Sequence, residues 1–345
     1  MEKPFLDVVK NKSVRDKPVW WMMRQAGRYL PEYLEVRGKA GSFLKLAYTP
    51  EYAAEVTLQP IRRYDMDAAI LFSDILVIPH ALGQDLKFVQ GEGPKLTPID
   101  SVSELNYNNF DQVLSPVYQA VGKIKSQLHD EGFTEKTLIG FAGAPWTVAC
   151  YMIEGGGSKD FANVKRFAYG NSVEFQKIID LLCEATARYL CAQIQAGAEV
   201  IQIFDTWAGL LDEKGFRDFC IAPIKKIIET VRSEYPDIPV IGFPRGAGAL
   251  YEDFVKETGV NVVGIDPSIS PKWAAKVLQP HCVVQGNLDP IRLLAGGAYL
   301  EDAIDDVLSH LSQGPHIFNL GHGIHKDTPL EHVERLRNQI ATYRI

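Results

Sequence analysis

Eight short apolar runs, spaced along the whole chain, constrain its fold more than any other feature. They are residues 19–23, 68–72, 138–141, 200–204, 240–243, 262–265, 282–285 and 317–320. Most are rich in Val, Ile or Phe and show no alternation of apolar and polar positions. Strands buried on both faces of a parallel sheet read this way. Helical segments separate them. Pro50 follows Thr49 and opens a segment over 50–64, with Glu51 in its first turn. Ser101-x-x-Glu104 and Thr328-Pro-x-Glu331 read as capping boxes. Residues 180–196 form an amphipathic stretch that stops at Gly197. Ser270-Pro271 and Asp289-Pro290 start further helices just after strands.

Strand, loop and helix repeated eight times predict an α/β protein of the (β/α)₈ TIM-barrel class, with an open doubly wound sheet as the alternative. A barrel of this kind takes about 250 residues. The 345 residues leave room for N-terminal and loop extensions, and the longest gap, 73–137, predicts a loop excursion. No linker, repeat or low-complexity tract divides the sequence, so residues 1–345 read as a single domain.

The composition excludes several classes. With 36 Lys plus Arg and 43 Asp plus Glu, the net charge is −7. That is no footprint for nucleic acid or an anionic membrane surface. No apolar stretch reaches the ~20 residues of a membrane helix. The five cysteines form no C-x-x-C pair, which argues against a disulfide framework or a structural zinc. A soluble, cytoplasmic chain with free thiols is expected.

A barrel carries its chemistry on the loops that follow its strands. Arg24-Gln-Ala-Gly-Arg28 follows the first run, Ser73-Asp74 the second, and Ala142-Gly-Ala-Pro-Trp146 the third, leading on to Tyr151 and Gly155-Gly-Gly-Ser158. Asp205-Thr206-Trp207, Pro244-Arg245-Gly246, Asp266-Pro267, Gly286-Asn287 and Gly321-His322-Gly323 follow the other five. Arg24 and Arg28 lie four apart and would share a face if the segment were helical. Arginine binds carboxylates through two parallel hydrogen bonds and stays charged, so the pair suggests a ligand with several carboxylates or phosphates. Asp74 is either a helix cap or a pocket carboxylate. Tyr151 is either core or site. Three histidine positions, His281, His322 and His325, supply no H-E-x-x-H and no paired-cysteine spacing, so no metal is expected. No G-x-S-x-G elbow and no dinucleotide fingerprint is present.

Several of these blocks resemble one family. Pro18-Val-Trp-Trp-Met-Met-Arg-Gln-Ala-Gly-Arg28, followed by Tyr-Leu-Pro-Glu-Tyr33, is similar to the N-terminal signature of the uroporphyrinogen decarboxylases. Gly140-Phe-Ala-Gly-Ala-Pro-Trp-Thr147, continuing to Tyr151 and Glu154, resembles their second signature. Residues 71–76 and 318–323 resemble two further blocks, and all four keep the family's order. The resemblance implies a (β/α)₈ barrel that works as a homodimer without metal or organic cofactor. It implies removal of four CO₂ from uroporphyrinogen III, a substrate with eight carboxylates, to give coproporphyrinogen III in haem and tetrapyrrole biosynthesis. Carried over by motif position, the substrate contacts would be Arg24, Gln25, Ala26, Gly27, Arg28, Asp74, Tyr151, Thr206 and His322, with Asp74, Arg28, Arg24 and Tyr151 in the chemistry. Methyltransferases that share the fold bind zinc through a His-x-Cys and a distant Cys, and this chain has no His-x-Cys at the matching strand end.

Overall fold

A computed structural model describes residues 3–89 and 91–345. Eight parallel strands form one sheet: β1 (Val19–Trp20), β2 (Ala68–Ile70), β5 (Thr137–Gly143), β6 (Val200–Asp205), β7 (Val240–Pro244), β8 (Val262–Gly264), β9 (Val283–Leu288) and β10 (His316–Leu320). Their order is β1-β10-β9-β8-β7-β6-β5-β2. The first and last strands meet through Asp67. Its N–H donates to Trp20 O at 3.0 Å and its Oδ2 accepts from Trp20 N at 2.9 Å, which closes the barrel where no regular ladder forms. Each of the eight apolar runs contains a strand, as the closed parallel sheet requires, and every residue of these eight strands but Phe204 is buried.

The barrel interior is partly polar, and some of its polar groups pair with one another, whereas Gln202 Nε2 has no partner among the described residues. Trp21 Nε1 donates to Gln285 Oε1 at 2.9 Å, and Gln285 Nε2 reaches Gln202 Oε1 at 3.4 Å. Outside, the long helix Ser172–Ala196 is clamped onto β5. Gln193 accepts from Phe141 N and donates to Phe141 O, both at 2.9 Å. Gly140 makes room for it, because a Cβ there would lie 2.6 Å from Gln193 Oε1.

The excursion after β2 holds a short helix (Val77–Ala81), an antiparallel hairpin of β3 (Leu86–Val89) and β4 (Gly93–Leu96), and a 3₁₀ turn (Val102–Glu104) before the helix Phe110–Asp130 that covers the barrel. The Ser101–Glu104 capping box forms at that turn. Three expectations need correcting. The helix expected over 180–196 begins at Ser172, directly after the helix Ala162–Gly170. The Thr328–Glu331 box does not form. Pro329, extended at ψ 139°, is the cap of the helix Leu330–Thr342, and Thr328 lies one residue outside it. The Arg24–Arg28 segment is a run of turns rather than a helix, so the two arginines do not share a face.

Candidate functional site

The carboxyl ends of the strands open on one mouth, and the β1 loop forms one wall of it. Arg24 sits at φ +61°, in the left-handed region that non-glycine residues rarely enter. The loop around it is tied down from several sides. Met23 N donates to Asn319 Oδ1 at 2.9 Å, and Ile324 N donates to Met23 O at 3.0 Å. Gln25 is fully buried. Its Nε2 donates to Ala68 O at 3.2 Å, and its backbone O accepts from Tyr29 Oη at 2.9 Å. Gln25 therefore positions the loop, and Ala26 and Gly27 beside it are half-buried.

Asp74 follows β2 and is half-buried. Its Oδ1 accepts from Leu76 N at 2.8 Å, the cap-like contact its sequence position allows. Burial pushes its pKa up, and the Leu76 N–H and the positive charge of Arg24 act against that push. Tyr151 projects from the helix Pro145–Glu154, which starts directly after β5. Its ring lies 6.2 Å from Trp207 and 6.4 Å from Phe161. Burial raises its pKa; among its charged neighbours Asp74 adds to the rise and Arg24 opposes it. One guanidinium thus acts on both Asp74 and Tyr151.

β6 ends in a buried relay. Asp205 Oδ1 accepts from Thr147 Oγ1 at 2.5 Å, and Thr147 Oγ1 accepts from Trp207 N at 3.0 Å. This fixes Thr206 between two anchored residues, half-buried at the rim. Burial raises the Asp205 pKa to about 6, with Thr147 opposing.

His322 stands opposite, after β10. Gly321 packs so tightly on Pro267 that a Cβ would fall 2.5 Å from Pro267 Cδ, and Gly323 packs on the stem of Arg24. The backbone on either side of His322 is thus held between the β8 loop and the β1 loop. Its pKa falls to about 4, first through burial and then through the positive charges of Arg24 and Arg245, with Asp266 opposing. It is neutral at physiological pH.

The charge of Arg24 reaches Asp74, Tyr151 and His322, so these four groups lie near one another, and Thr206 stands at the end of β6. Arg24 and Arg28 are both exposed, and the charge of Arg28 acts instead on Tyr33 and Asp327. Neither Arg24 nor Arg28 makes an ion pair among the described residues, whereas Arg62, Arg63 and Arg217 each do. Gly155 caps the helix Pro145–Glu154 in a left-handed conformation against Pro98. Among the described residues, no three His, Cys, Asp or Glu side chains converge as a metal site would require. Arg245, quoted with its strand end but not singled out in the sequence, is the further residue the structure adds. The signal was its place one residue beyond β7.

Comparison with known proteins agrees with this geometry. The model of the family "Uroporphyrinogen decarboxylase (URO-D)" matches residues 1–343. The uroporphyrinogen decarboxylase of Rhodospirillum rubrum is 53% identical over 97% of this chain and 96% of its own. That of Mesorhizobium japonicum is 53% identical over 98% and 97%. Among solved structures, a methyltransferase from Methanosarcina mazei superposes with a TM-score of 0.80 at 19% identity, over 97% of this chain and 96% of that one. At that identity it bears on the fold alone. Barrel, mouth and relatives together define a carboxy-lyase built on a (β/α)₈ barrel. The chain belongs to the uroporphyrinogen decarboxylase family.

Proposed function

We propose that the chain converts uroporphyrinogen III to coproporphyrinogen III, turning four acetate arms into methyl groups with release of four CO₂. The observation that carries this reading is the pairing of a half-buried Asp74 with the charge of Arg24 in one mouth, in a chain whose family match spans nearly its whole length. Each step consumes one proton. A pyrrole ring carbon is protonated, the C–C bond to the carboxylate breaks, and its electron pair returns to the cationic ring. The exocyclic methylene then takes a proton to become methyl, and the ring carbon loses the one it gained. The ring is its own electron sink, so the step needs no organic cofactor.

Asp74 receives pyrrole N–H groups and stabilises the ring cation as it develops, in a site where that charge is worth more than in water. Arg24 holds the reacting arm, and Arg28 gathers carboxylates at the rim. Because a guanidinium also stabilises the ground-state carboxylate, its benefit lies in positioning. Tyr151 and Thr206 orient arms through their hydroxyls, and neutral His322 through its ring N–H. Ala26 and Gly27 let the substrate approach the β1 loop closely. We assign the enzyme to the cytoplasm of a haem- or tetrapyrrole-making cell, and the family resemblance implies a homodimer. No helix among the described residues is long and apolar enough to cross a membrane.

The test is anaerobic incubation with uroporphyrinogen III in the presence of a chelator, with product carboxylates counted by chromatography. Successive seven-, six-, five- and four-carboxylate products support the reading. Unchanged eight-carboxylate substrate with the folded chain overturns it.

A further inference from the structure

Arg245 leaves the barrel one residue beyond β7, and its surroundings fix its backbone from both sides. Asp205 is paired with Pro244 across β6 and β7, so Thr206 and Arg245 emerge side by side. Arg245 N donates to Asp205 O at 3.1 Å, and Arg245 O accepts from Gly209 N at 3.0 Å. Gly209 and Gly246 touch backbone to backbone: a Cβ on Gly209 would lie 2.6 Å from Gly246 O. The obvious partner for the guanidinium is Asp266, but its carboxylate is already occupied. Oδ2 accepts from Gly246 N at 2.8 Å and Tyr251 Oη at 2.9 Å; Oδ1 accepts from Ser268 N at 2.9 Å and Ser268 Oγ at 2.5 Å. Arg245 is half-buried and has no ion pair among the described residues. The charges of Arg245 and Arg24 both reach His322, whose flanking glycines pack on Pro267 and on Arg24. Arg24 also acts on Asp74 and Tyr151.

Resting on the function proposed above, we infer that Arg245 is a further substrate ligand, which takes a propionate carboxylate that the reaction retains. A cation held ready beside neutral His322, outside the Arg24–Asp74 pair, suits an arm that is gripped and not cleaved. Arg24, Arg28 and Arg245 then spread three guanidinium groups around the mouth for a substrate with eight carboxylates. A bidentate grip needs the planar guanidinium fork, which lysine lacks.

The test compares R245Q and R245K with the wild type, using uroporphyrinogen III as substrate and coproporphyrinogen III as the bound product. R245Q should raise KM and weaken product binding together, by about 10- to 100-fold, the loss expected for a hydrogen-bonded charge pair. Its kcat should stay within about threefold. R245K keeps the charge and loses the fork, and should raise KM about three- to tenfold. A wild-type KM in R245Q overturns the inference, as does a fall in kcat at constant KM. Loss of substrate affinity with product affinity intact places an acetate there and overturns the propionate assignment. If R245Q does not melt cooperatively, R245K decides alone, and a wild-type KM in it overturns the inference. A wild-type chain that releases no CO₂ fails at the earlier step and takes this assignment with it; active wild type with normal R245Q removes this assignment only.

Discussion

Gly323 and Arg24 are packed so that the space a side chain would fill at position 323 is taken by the arginine stem, from Cγ to Nε. Arg24 itself is in a left-handed conformation. The strained backbone sets the direction of the side chain, and the missing Cβ gives it passage across the mouth towards Asp74 and His322. Gly323→Ala should therefore displace Arg24 without damaging the barrel, because the clash falls on a flexible side chain. Its kcat/KM for uroporphyrinogen III should fall about 10- to 100-fold, the penalty typical of an ångström-scale misplacement. Its melting temperature should stay within about 2 °C, since a surface-accessible change of this kind costs about 0.5 kcal/mol or less. Steady-state kinetics with a calorimetric melt reads both quantities. A normal kcat/KM would show that Arg24 does not need this track.

Asp74 meets substrate in the opposite way to the arginines. It offers negative charge where a cation forms, so its contribution belongs to the transition state. Asp74→Asn keeps the shape and the Oδ1 acceptor for Leu76 N. We expect kcat to fall by about 10²- to 10³-fold, as when one preorganised group facing developing charge is removed, while KM changes little. Equal loss in kcat and binding affinity would make Asp74 a substrate anchor instead.

The residues that could be read in advance are those whose position in the chain decides their place in space. Asp74, Tyr151, Thr206 and His322 all stand after strands, and a barrel turns that single fact into proximity. The shared face of the arginine pair depended on a helix that does not form. The rule that residues four apart share a face holds only on a helix, and Arg24 at φ +61° breaks the geometry it assumes. Thr328 matched a capping box by spacing, but the extended Pro329 moved the helix start past it. Arg245 was invisible for a third reason. One arginine after one strand resembles any solvated arginine until Asp266 is seen to be saturated and Gly321 is seen to seat His322 against the β8 loop.

The Gln193 clamp is a stability device with a measurable size. Gln193→Leu keeps the volume and leaves the buried Phe141 N–H and C=O without partners. Two orphaned backbone groups cost about 1–3 kcal/mol each. The variant should lose about 2–6 kcal/mol, a drop of several degrees or more in melting temperature. Retained stability would mean that water or another residue replaces the carboxamide.

Buried titrating groups should give the protein an uneven response to acid. His316 is buried, its Nε2 lies 3.0 Å from Gly286 O as the donor of a hydrogen bond, and its Nδ1 has no partner. Burial lowers its pKa from 6.5 to about 4. The unfolded chain therefore binds a proton that the folded chain refuses between those values, and stability is lost as pH falls from 6.5 towards 4. The gap converts to about 3 kcal/mol. His322 acts with the same sign. Asp205 acts against both. Its folded pKa is raised from 3.8 to about 6, so its contribution is fully present below 3.8 and is lost as pH rises through 6. On acidification Asp205 offsets roughly one histidine. His316→Gln should thus flatten the melting temperature against pH between 6.5 and 4, and Asp205→Asn should steepen it, because the offset is gone. Calorimetric melts of the three chains from pH 8 to pH 4 test the signs directly, and parallel curves for wild type and Asp205→Asn would show that Asp205 titrates as it does in the unfolded chain.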